Sequence, residues 1–358
     1  SVSHMSAATE LSQPDFVFSA RESHSAAKWA RRSKTVPALF IAFFLVSLLL
    51  PVLFAFSFIH DLIRDREFST TRLTLFGAWW LTMEMLGVVT AFILWLIFLP
   101  STKSTSTKSN RWHNRLQCLW AKSLTAGAKR TIGLRWSAEG ISCLRPKGPL
   151  IILARHGSQG DALLTAALLS NEGRRLRFVL KKQLLNDPCL DIVGHRIPNY
   201  FVNRDSLDNQ EELVNISVLA SGLDDDEALV IFPEGTRFSP SKLTKAIDTL
   251  TEKTPGRAES ARRLRSVLPI RTAGTLATLS ASDADIVFCN HVGISDISSI
   301  RELRDAIPLK KELRFKLTRV PRSDLSSKWN EEELVRWLDT QWALVDDWVT
   351  AHEGPKSP

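Results

Sequence analysis

Two long apolar segments near the start of the chain constrain its fold most. Residues 36–59 carry no charged side chain in 24 positions, although Pro37 and Pro51 interrupt the run. A helix of this length measures about 36 Å, more than the hydrocarbon core of a bilayer, which is about 30 Å thick. Residues 73–100 form a second apolar segment whose one charge is Glu84. Their lengths favour a transmembrane helical hairpin over the alternative of a buried soluble hairpin.

Basic residues on both sides of the hairpin predict its orientation. Four lie before the first segment and four after the second: Lys28, Arg31, Arg32, Lys34, Lys103, Lys108, Arg111 and Arg115. The connecting loop also holds three arginines, so the bias is modest, but it places both ends and the rest of the chain in the cytoplasm. The net charge of +8 favours anionic partners. With such apolar segments, we expect that partner to be membrane lipid and not nucleic acid.

Composition divides the chain into four predicted parts. Residues 1–35 form a cytoplasmic segment whose first four residues, before Met5, resemble a cloning remnant, and residues 36–100 form the hairpin. Residues 101–145 are a Ser/Thr/Lys linker and a basic, tryptophan-containing helix, which suits either the membrane surface or ordinary packing. Residues 146–358 form the main domain. The four cysteines have no spacing typical of a zinc site or a disulfide framework, so we predict no metal.

The main domain alternates short apolar runs with helical stretches. We predict strands at 150–154, 177–180, 200–202, 229–232 and 286–289, with helices at 161–170 and 211–220 between them. Such alternation predicts an α/β fold with a mixed, mostly parallel sheet flanked by helices. Residues 239–265 are expected to form surface helices and a loop. Beyond residue 300 we expect a helical tail whose tryptophan-rich face packs on the domain, with docking on the bilayer as the alternative.

A histidine and a carboxylate five positions apart, His156 and Asp161, are the first candidate catalytic residues. On one helix they would be about 500° apart and could not share a face. They can meet if His156 follows the strand at 150–154 and Asp161 opens the next helix. A carboxylate that holds an imidazole in one tautomer prepares it as a general base. The same spacing recurs at His291 and Asp296, so spacing alone does not identify the site.

The second candidate segment ends an apolar run in a charged turn, Pro233-Glu234-Gly235-Thr236-Arg237. Arg237 can bind a phosphate through two parallel hydrogen bonds, and Thr236 can donate to the same group. Glu234 can hold that arginine or a substrate hydroxyl beside the flexible Gly235. The alternative is a capped strand–helix turn with a surface ion pair.

These two segments resemble the first and third sequence blocks of the glycerolipid acyltransferases, the His-X4-Asp family that includes lysophosphatidic acid acyltransferase. The second and fourth blocks are similar to residues 200–204, ending in Arg204, and to residues 268–274, which contain Arg271. The resemblance covers roughly residues 145–300 with the four blocks in family order. Arg155 stands where the family more often has asparagine. Only His156 has the glutamate–glycine block downstream, so His291 is assigned to the core or to a surface turn.

The resemblance implies an integral membrane acyltransferase of the bacterial inner membrane, with its catalytic domain facing the cytoplasm. It would transfer a fatty acyl group from acyl-CoA or acyl carrier protein to a lysophospholipid, first of all 1-acylglycerol 3-phosphate, without a cofactor. His156 would be the base and Asp161 its orienting partner. The acceptor phosphate would be bound by the remaining candidates, Arg204, Glu234, Gly235, Thr236, Arg237 and Arg271. Alternatives are another lysophospholipid head group, an acyl-thioesterase and a non-catalytic membrane scaffold.

Overall fold

The computed structural model describes residues 25–64, 67–98, 107–158, 160–202, 210–294, 297 and 299–353. The helices in these ranges are α1 (Ser25–Arg64), α2 (Ser69–Phe98), α3 (Thr107–Thr131), α4 (Asp161–Asn171), α5 (Pro188–Gly194), α6 (Gln210–Ala220), α7 (Pro240–Lys253), α8 (Pro255–Ala261), α9 (Thr272–Ser280), α10 (Ile300–Ala306) and α11 (Glu331–Glu353). The strands are β1 (Trp136–Glu139), β2 (Leu150–Ala154), β3 (Arg175–Lys181), β4 (Tyr200–Val202), β5 (Glu227–Ile231), β6 (Asp285–Val292) and β7 (Leu313–Val320).

The chain forms two compact units, and the first is built on α1, α2 and α3. Helices α1 and α2 are long and apolar enough to cross a membrane, and they pack against each other. Asp61, near the end of α1, accepts hydrogen bonds from the Thr71 backbone N–H (2.7 Å) and hydroxyl (2.8 Å) at the start of α2. These bonds satisfy a free N–H of the second helix, so the two helices meet as a hairpin.

The same unit contains β3, β4 and α5, which are held to the helices by polar side chains. Strands β3 and β4 pair in parallel, and the Asn114 side chain of α3 donates to the Leu176 carbonyl of β3 (3.0 Å). Asp191 of α5 accepts from both Arg31 (2.9 Å) and Arg32 (3.1 Å) of α1. The charge that interrupts the second apolar segment, Glu84, is buried and accepts from the Trp120 indole N–H of α3 (3.2 Å). Glu84 therefore pairs with a neighbouring helix, as polar residues in apolar helices usually do.

The second unit is built on a mixed, mostly parallel sheet with the strand order β1-β7-β6-β2-β5. Strand β2 is parallel to both β5 and β6, β1 is parallel to β7, and β7 is antiparallel to β6. All five residues of β2 and of β5 are buried. Strands covered on both faces read as continuous apolar runs, which explains why this part of the sheet is visible in the sequence.

Most predicted elements of the main domain are confirmed, and one segment is corrected. Strands β2 and β4 have the predicted bounds, and the predicted strands at 177–180 and 286–289 lie inside β3 and β6. The surface helices expected within residues 239–265 are α7 and α8. The prediction of a purely helical tail beyond residue 300 was wrong, because β7 lies there. Its residues alternate between buried and exposed, so it has no continuous apolar run.

The C-terminal helix α11 packs on the second unit, as predicted. Trp342 is buried and its indole N–H donates to the Leu268 carbonyl (2.9 Å). Asp346, also buried, accepts from the backbone N–H groups of Arg265 (3.0 Å), Ser266 (2.6 Å) and Val267 (3.0 Å). Because three otherwise unpaired donors meet one carboxylate, the helix fixes the path of residues 265–268.

Candidate active site

The candidate residues gather where the parallel strands of the second unit end. Ala154 of β2 lies beside Cys289 of β6, and Leu153 lies beside Ile231 of β5. The segments that continue from β2 and β5 therefore leave the sheet at the same edge. This is the edge at which open α/β sheets bind their ligands.

His156 and Asp161 meet in the way the sequence predicted. His156 follows β2, Asp161 is the first residue of α4, and His156 Nδ1 lies 2.9 Å from Asp161 Oδ2. A carboxylate only accepts, so Nδ1 carries the hydrogen and Nε2 keeps its lone pair. The His156 side chain is 12% exposed, whereas that of Asp161 is 1% exposed. The pair is thus an accessible imidazole on a buried carboxylate.

Asp161 is held by further donors and by a second histidine. It accepts from the backbone N–H of Ser158 (2.8 Å) and from the Ser158 hydroxyl. His291 Nε2 lies 3.0 Å from its other oxygen, Oδ1. Burial alone would raise the pKa of Asp161, but nearby His291 and the hydrogen bond from His156 hold that pKa well below its ordinary range. The carboxylate therefore stays charged beside His156.

Glu234 joins three of the sequence blocks. It is 2% exposed, and its two oxygens accept from the backbone N–H groups of His156 (2.7 Å) and Leu268 (2.8 Å). The Arg271 N–H donates to the Pro233 carbonyl (2.9 Å), which adds a second link between the third and fourth blocks. Burial raises the pKa of Glu234 to about 7, although Arg155 and the two N–H donors act in the opposite direction.

The turn after Glu234 brings Arg271 over Gly235. Gly235 has φ +67°, and a Cβ placed on it would lie 2.9 Å from Arg271 Cδ and Nε. A glycine is therefore required here both by the left-handed backbone and by the close arginine. Thr236 and Arg237 are partly exposed. Lys242 Nζ, from the first turn of α7, donates to the Thr236 hydroxyl and to the Arg237 carbonyl (both 3.1 Å).

The structure thus brings seven of the eight sequence-predicted site residues to one edge of the second unit: His156, Asp161, Glu234, Gly235, Thr236, Arg237 and Arg271. The eighth, Arg204, lies outside the described residues, as does Asp296 of the second histidine motif. In the described part of the chain, no group of three or more His, Cys, Asp or Glu side chains is arranged to hold a metal ion.

Sequence reasoning missed the parts played by His291, Lys242 and Arg155. Arg155 is fully buried, and its guanidinium donates to the His291 carbonyl (2.6 Å), to the Ser266 carbonyl (3.3 Å) and to Glu353 (3.4 Å). The repeated histidine motif was the available signal for His291. It was assigned to the core or a surface turn; it is indeed buried, in β6, but it contacts the site.

The residues of this site lie within a match to a known protein family. A family model described as Acyltransferase matches residues 135–273, a range that contains all eight predicted site residues. A search among curated proteins finds no match. The chain is similar to the crystal structure of the 1-acyl-sn-glycerophosphate (LPA) acyltransferase PlsC from Thermotoga maritima, with 14% identity and a TM-score of 0.46, over 77% of this chain and 98% of that one. Residues 135–273 therefore form an acyltransferase domain.

Proposed function

We propose that this acyltransferase moves a fatty acyl group from an acyl thioester to the free hydroxyl of a lysophospholipid, with 1-acylglycerol 3-phosphate as the first candidate acceptor. The observation that carries the proposal is the 2.9 Å contact between His156 Nδ1 and Asp161 Oδ2 inside the matched domain. It leaves the Nε2 lone pair of an accessible imidazole for a substrate proton. Acyl-CoA and acyl carrier protein are the donors to be compared.

In the proposed reaction, His156 Nε2 takes the proton of the acceptor hydroxyl while that oxygen attacks the thioester carbonyl carbon. A C–O bond forms, the C–S bond breaks, and the thiolate leaves with the proton that His156 held. Asp161 keeps the imidazole in one tautomer and stabilises its cationic form. The transfer is direct and uses no cofactor or metal in this scheme.

The acceptor phosphate is assigned to the basic turn after β5. Arg237 and Arg271 supply guanidinium groups, Thr236 supplies a hydroxyl, and the Gly235 turn supplies backbone N–H groups. We include Arg204 in this set on the basis of the sequence. Glu234 has a different part in the proposal: since both of its oxygens accept backbone N–H groups, it braces the base and the phosphate turn rather than touching substrate.

The apolar helices α1 and α2 are proposed to anchor the enzyme in a bacterial inner membrane, with the catalytic domain on the cytoplasmic side. Their hydropathy and length suit a bilayer, and Arg31 and Arg32 precede the apolar stretch of α1. A membrane anchor places the site where a lysophospholipid acceptor is concentrated.

The test is acyl transfer by the purified full chain in detergent, with labelled acyl-CoA or acyl carrier protein and a panel of lysophospholipids. We expect transfer to lysophosphatidic acid by the wild type and none by His156→Ala. His352→Ala is the matched control, since His352 is exposed on α11. Retained transfer by His156→Ala would rule out His156 as the general base. Thioester hydrolysis without acylated acceptor would show a thioesterase, and transfer only to a larger head group would change the acceptor.

A further inference from the structure

A second buried histidine shares the carboxylate of Asp161. His291 is 1% exposed, and its Nε2 lies 3.0 Å from Asp161 Oδ1, while His156 Nδ1 lies 2.9 Å from Oδ2. At 3.0 Å a bare ring nitrogen and a carboxylate oxygen would repel, so Nε2 of His291 carries a hydrogen. The two rings therefore contact opposite oxygens of one carboxylate, His156 through a hydrogen bond and His291 through a close electrostatic contact outside hydrogen-bond geometry.

The position of His291 is fixed by its surroundings. It lies in β6 opposite Phe315 of β7, and the two ring centroids are 5.8 Å apart. Its carbonyl accepts the short hydrogen bond from Arg155 (2.6 Å). With its backbone held by Arg155 and its ring packed against Phe315, His291 has little freedom to turn away from Asp161.

Charged or titratable groups face this histidine–carboxylate pair from several elements. Arg155 and His156 lie on the segment between β2 and α4. Glu234 lies on the turn after β5, Cys289 on β6 and Glu353 on α11. Arg155 is neutralised in part by Glu353. Strand β7 contributes Phe315 here, while its neighbour Arg314 is exposed. His291 is thus the one group besides His156 whose ring nitrogen directly contacts Asp161 among the described residues.

We propose that His291 is a positioning residue of the active site, which holds Asp161 between two histidines and so sets how firmly His156 retains its proton. This inference rests on the proposed function of His156. Because His291 is buried, it acts through Asp161 and does not touch substrate. The site is then a row of three side chains, His156, Asp161 and His291, in place of a pair.

The physical reason is that the negative charge of a carboxylate is shared among the polar groups that contact its two oxygens. If the Oδ1 contact is removed, more of the charge is available to His156 through Oδ2, and Asp161 itself is less constrained. His156 would then hold its proton more firmly and accept one from substrate only at higher pH. A merely structural His291 would have no such effect on the pH dependence.

The kinetic test compares His291→Met, which fills the space without a donor, with His291→Gln, which restores an N–H at the end of the side chain. For His291→Met we expect kcat to fall by up to about a hundredfold with KM unchanged. The acid limb of the pH–rate profile should move to higher pH. His291→Gln should recover most of the rate and the wild-type profile.

Phe315→Leu is the control for packing, because Phe315 lies against the same ring but does not contact Asp161. It should keep the wild-type pH profile. An unchanged kcat and profile in His291→Met would overturn the proposal. So would an equal loss in His291→Met, His291→Gln and Phe315→Leu, since this pattern reports packing alone. Wild type and His156→Ala in the same series show separately whether the proposed function holds.

Thermal unfolding between pH 7 and pH 3 supplies a second readout that needs no activity. A lowered pKa makes Asp161 stabilise the fold above its ordinary value of 3.8, and this contribution is lost as the pH falls. His291 is the strongest of the groups that lower the pKa of Asp161. His291→Met should therefore lose less stability than the wild type on acidification. The same acid loss in both proteins would refute the proposal even if no substrate were found.

Discussion

Replacing Gly235 by alanine should separate a backbone effect from an effect on the acceptor site. Gly235 has φ +67°, a conformation that costs an L-residue about 1–2 kcal/mol. This energy would lower the ratio of folded to unfolded protein by roughly five- to thirtyfold. The new Cβ would also lie 2.9 Å from Arg271, whose side chain must withdraw until the contact reaches at least 3.4 Å.

Gly222 offers a matched control because it has the same left-handed backbone conformation but does not lie under Arg271. Its φ is +59°, and a Cβ there would meet nothing within 4 Å. Gly222→Ala should therefore lower the free energy of unfolding by the same amount, about 1–2 kcal/mol, and leave the site unchanged. The difference between the two variants isolates the displacement of Arg271.

The assay is the acyl-transfer rate against acceptor concentration, with thermal unfolding of each variant in the same detergent. If Arg271 binds the acceptor phosphate, weakening a charge-assisted hydrogen bond worth about 1.5–3 kcal/mol should raise the acceptor KM about ten- to a hundredfold in Gly235→Ala. Arg271→Ala should show a similar increase. Equal acceptor KM values in Gly235→Ala and Gly222→Ala would contradict the assignment of Arg271 to the phosphate.

Two further predictions concern the core around the site. Asp346→Ala leaves three backbone N–H groups without their carboxylate and should destabilise the protein by about 3 kcal/mol or more. Asp347→Ala breaks only an exposed ion pair with Arg265 and should cost less than about 1 kcal/mol, so equal unfolding midpoints of the two variants would contradict this prediction. Burial, with smaller contributions from Cys143 and Asp161, raises the pKa of Cys289 to about 12. Cys289 should therefore stay a thiol and resist N-ethylmaleimide at pH 8, and Cys289→Ala should still transfer acyl groups. Alkylation of Cys289 in the folded protein, detected by mass spectrometry, would contradict this prediction.

The sequence predicted those parts of the fold that depend on local pattern. Strands β2 and β5 are buried on both faces, so their apolar runs are unbroken and easy to recognise. Strand β7 has exposed Arg314 and Thr318 and half-buried Lys316 on one face, and β1 has only four residues. A short or half-exposed strand is defined by its partner, which the sequence does not identify.

The candidate site shows the same division between local and distant information. His156 and Asp161 are five residues apart, so a strand, a bend and a helix start are enough to predict their contact. The contact between Asp161 and His291 depends on the register of β2 against β6, where Ala154 pairs with Cys289. Two histidines with the same spacing to a carboxylate therefore looked like alternatives, although both lie against the same carboxylate, Asp161.

The attachment of α11 also determines when the candidate site is first complete during synthesis of the chain. Trp342 and Asp346 hold residues 265–268, and the Leu268 N–H is one of the two donors to Glu234, which in turn holds the His156 backbone. Domains fold as the chain emerges from the ribosome, amino-terminal parts first. His156 is translated well before α11, which completes the support of its backbone. A nascent chain can thus expose the apolar helices α1 and α2 while the candidate site is still unassembled.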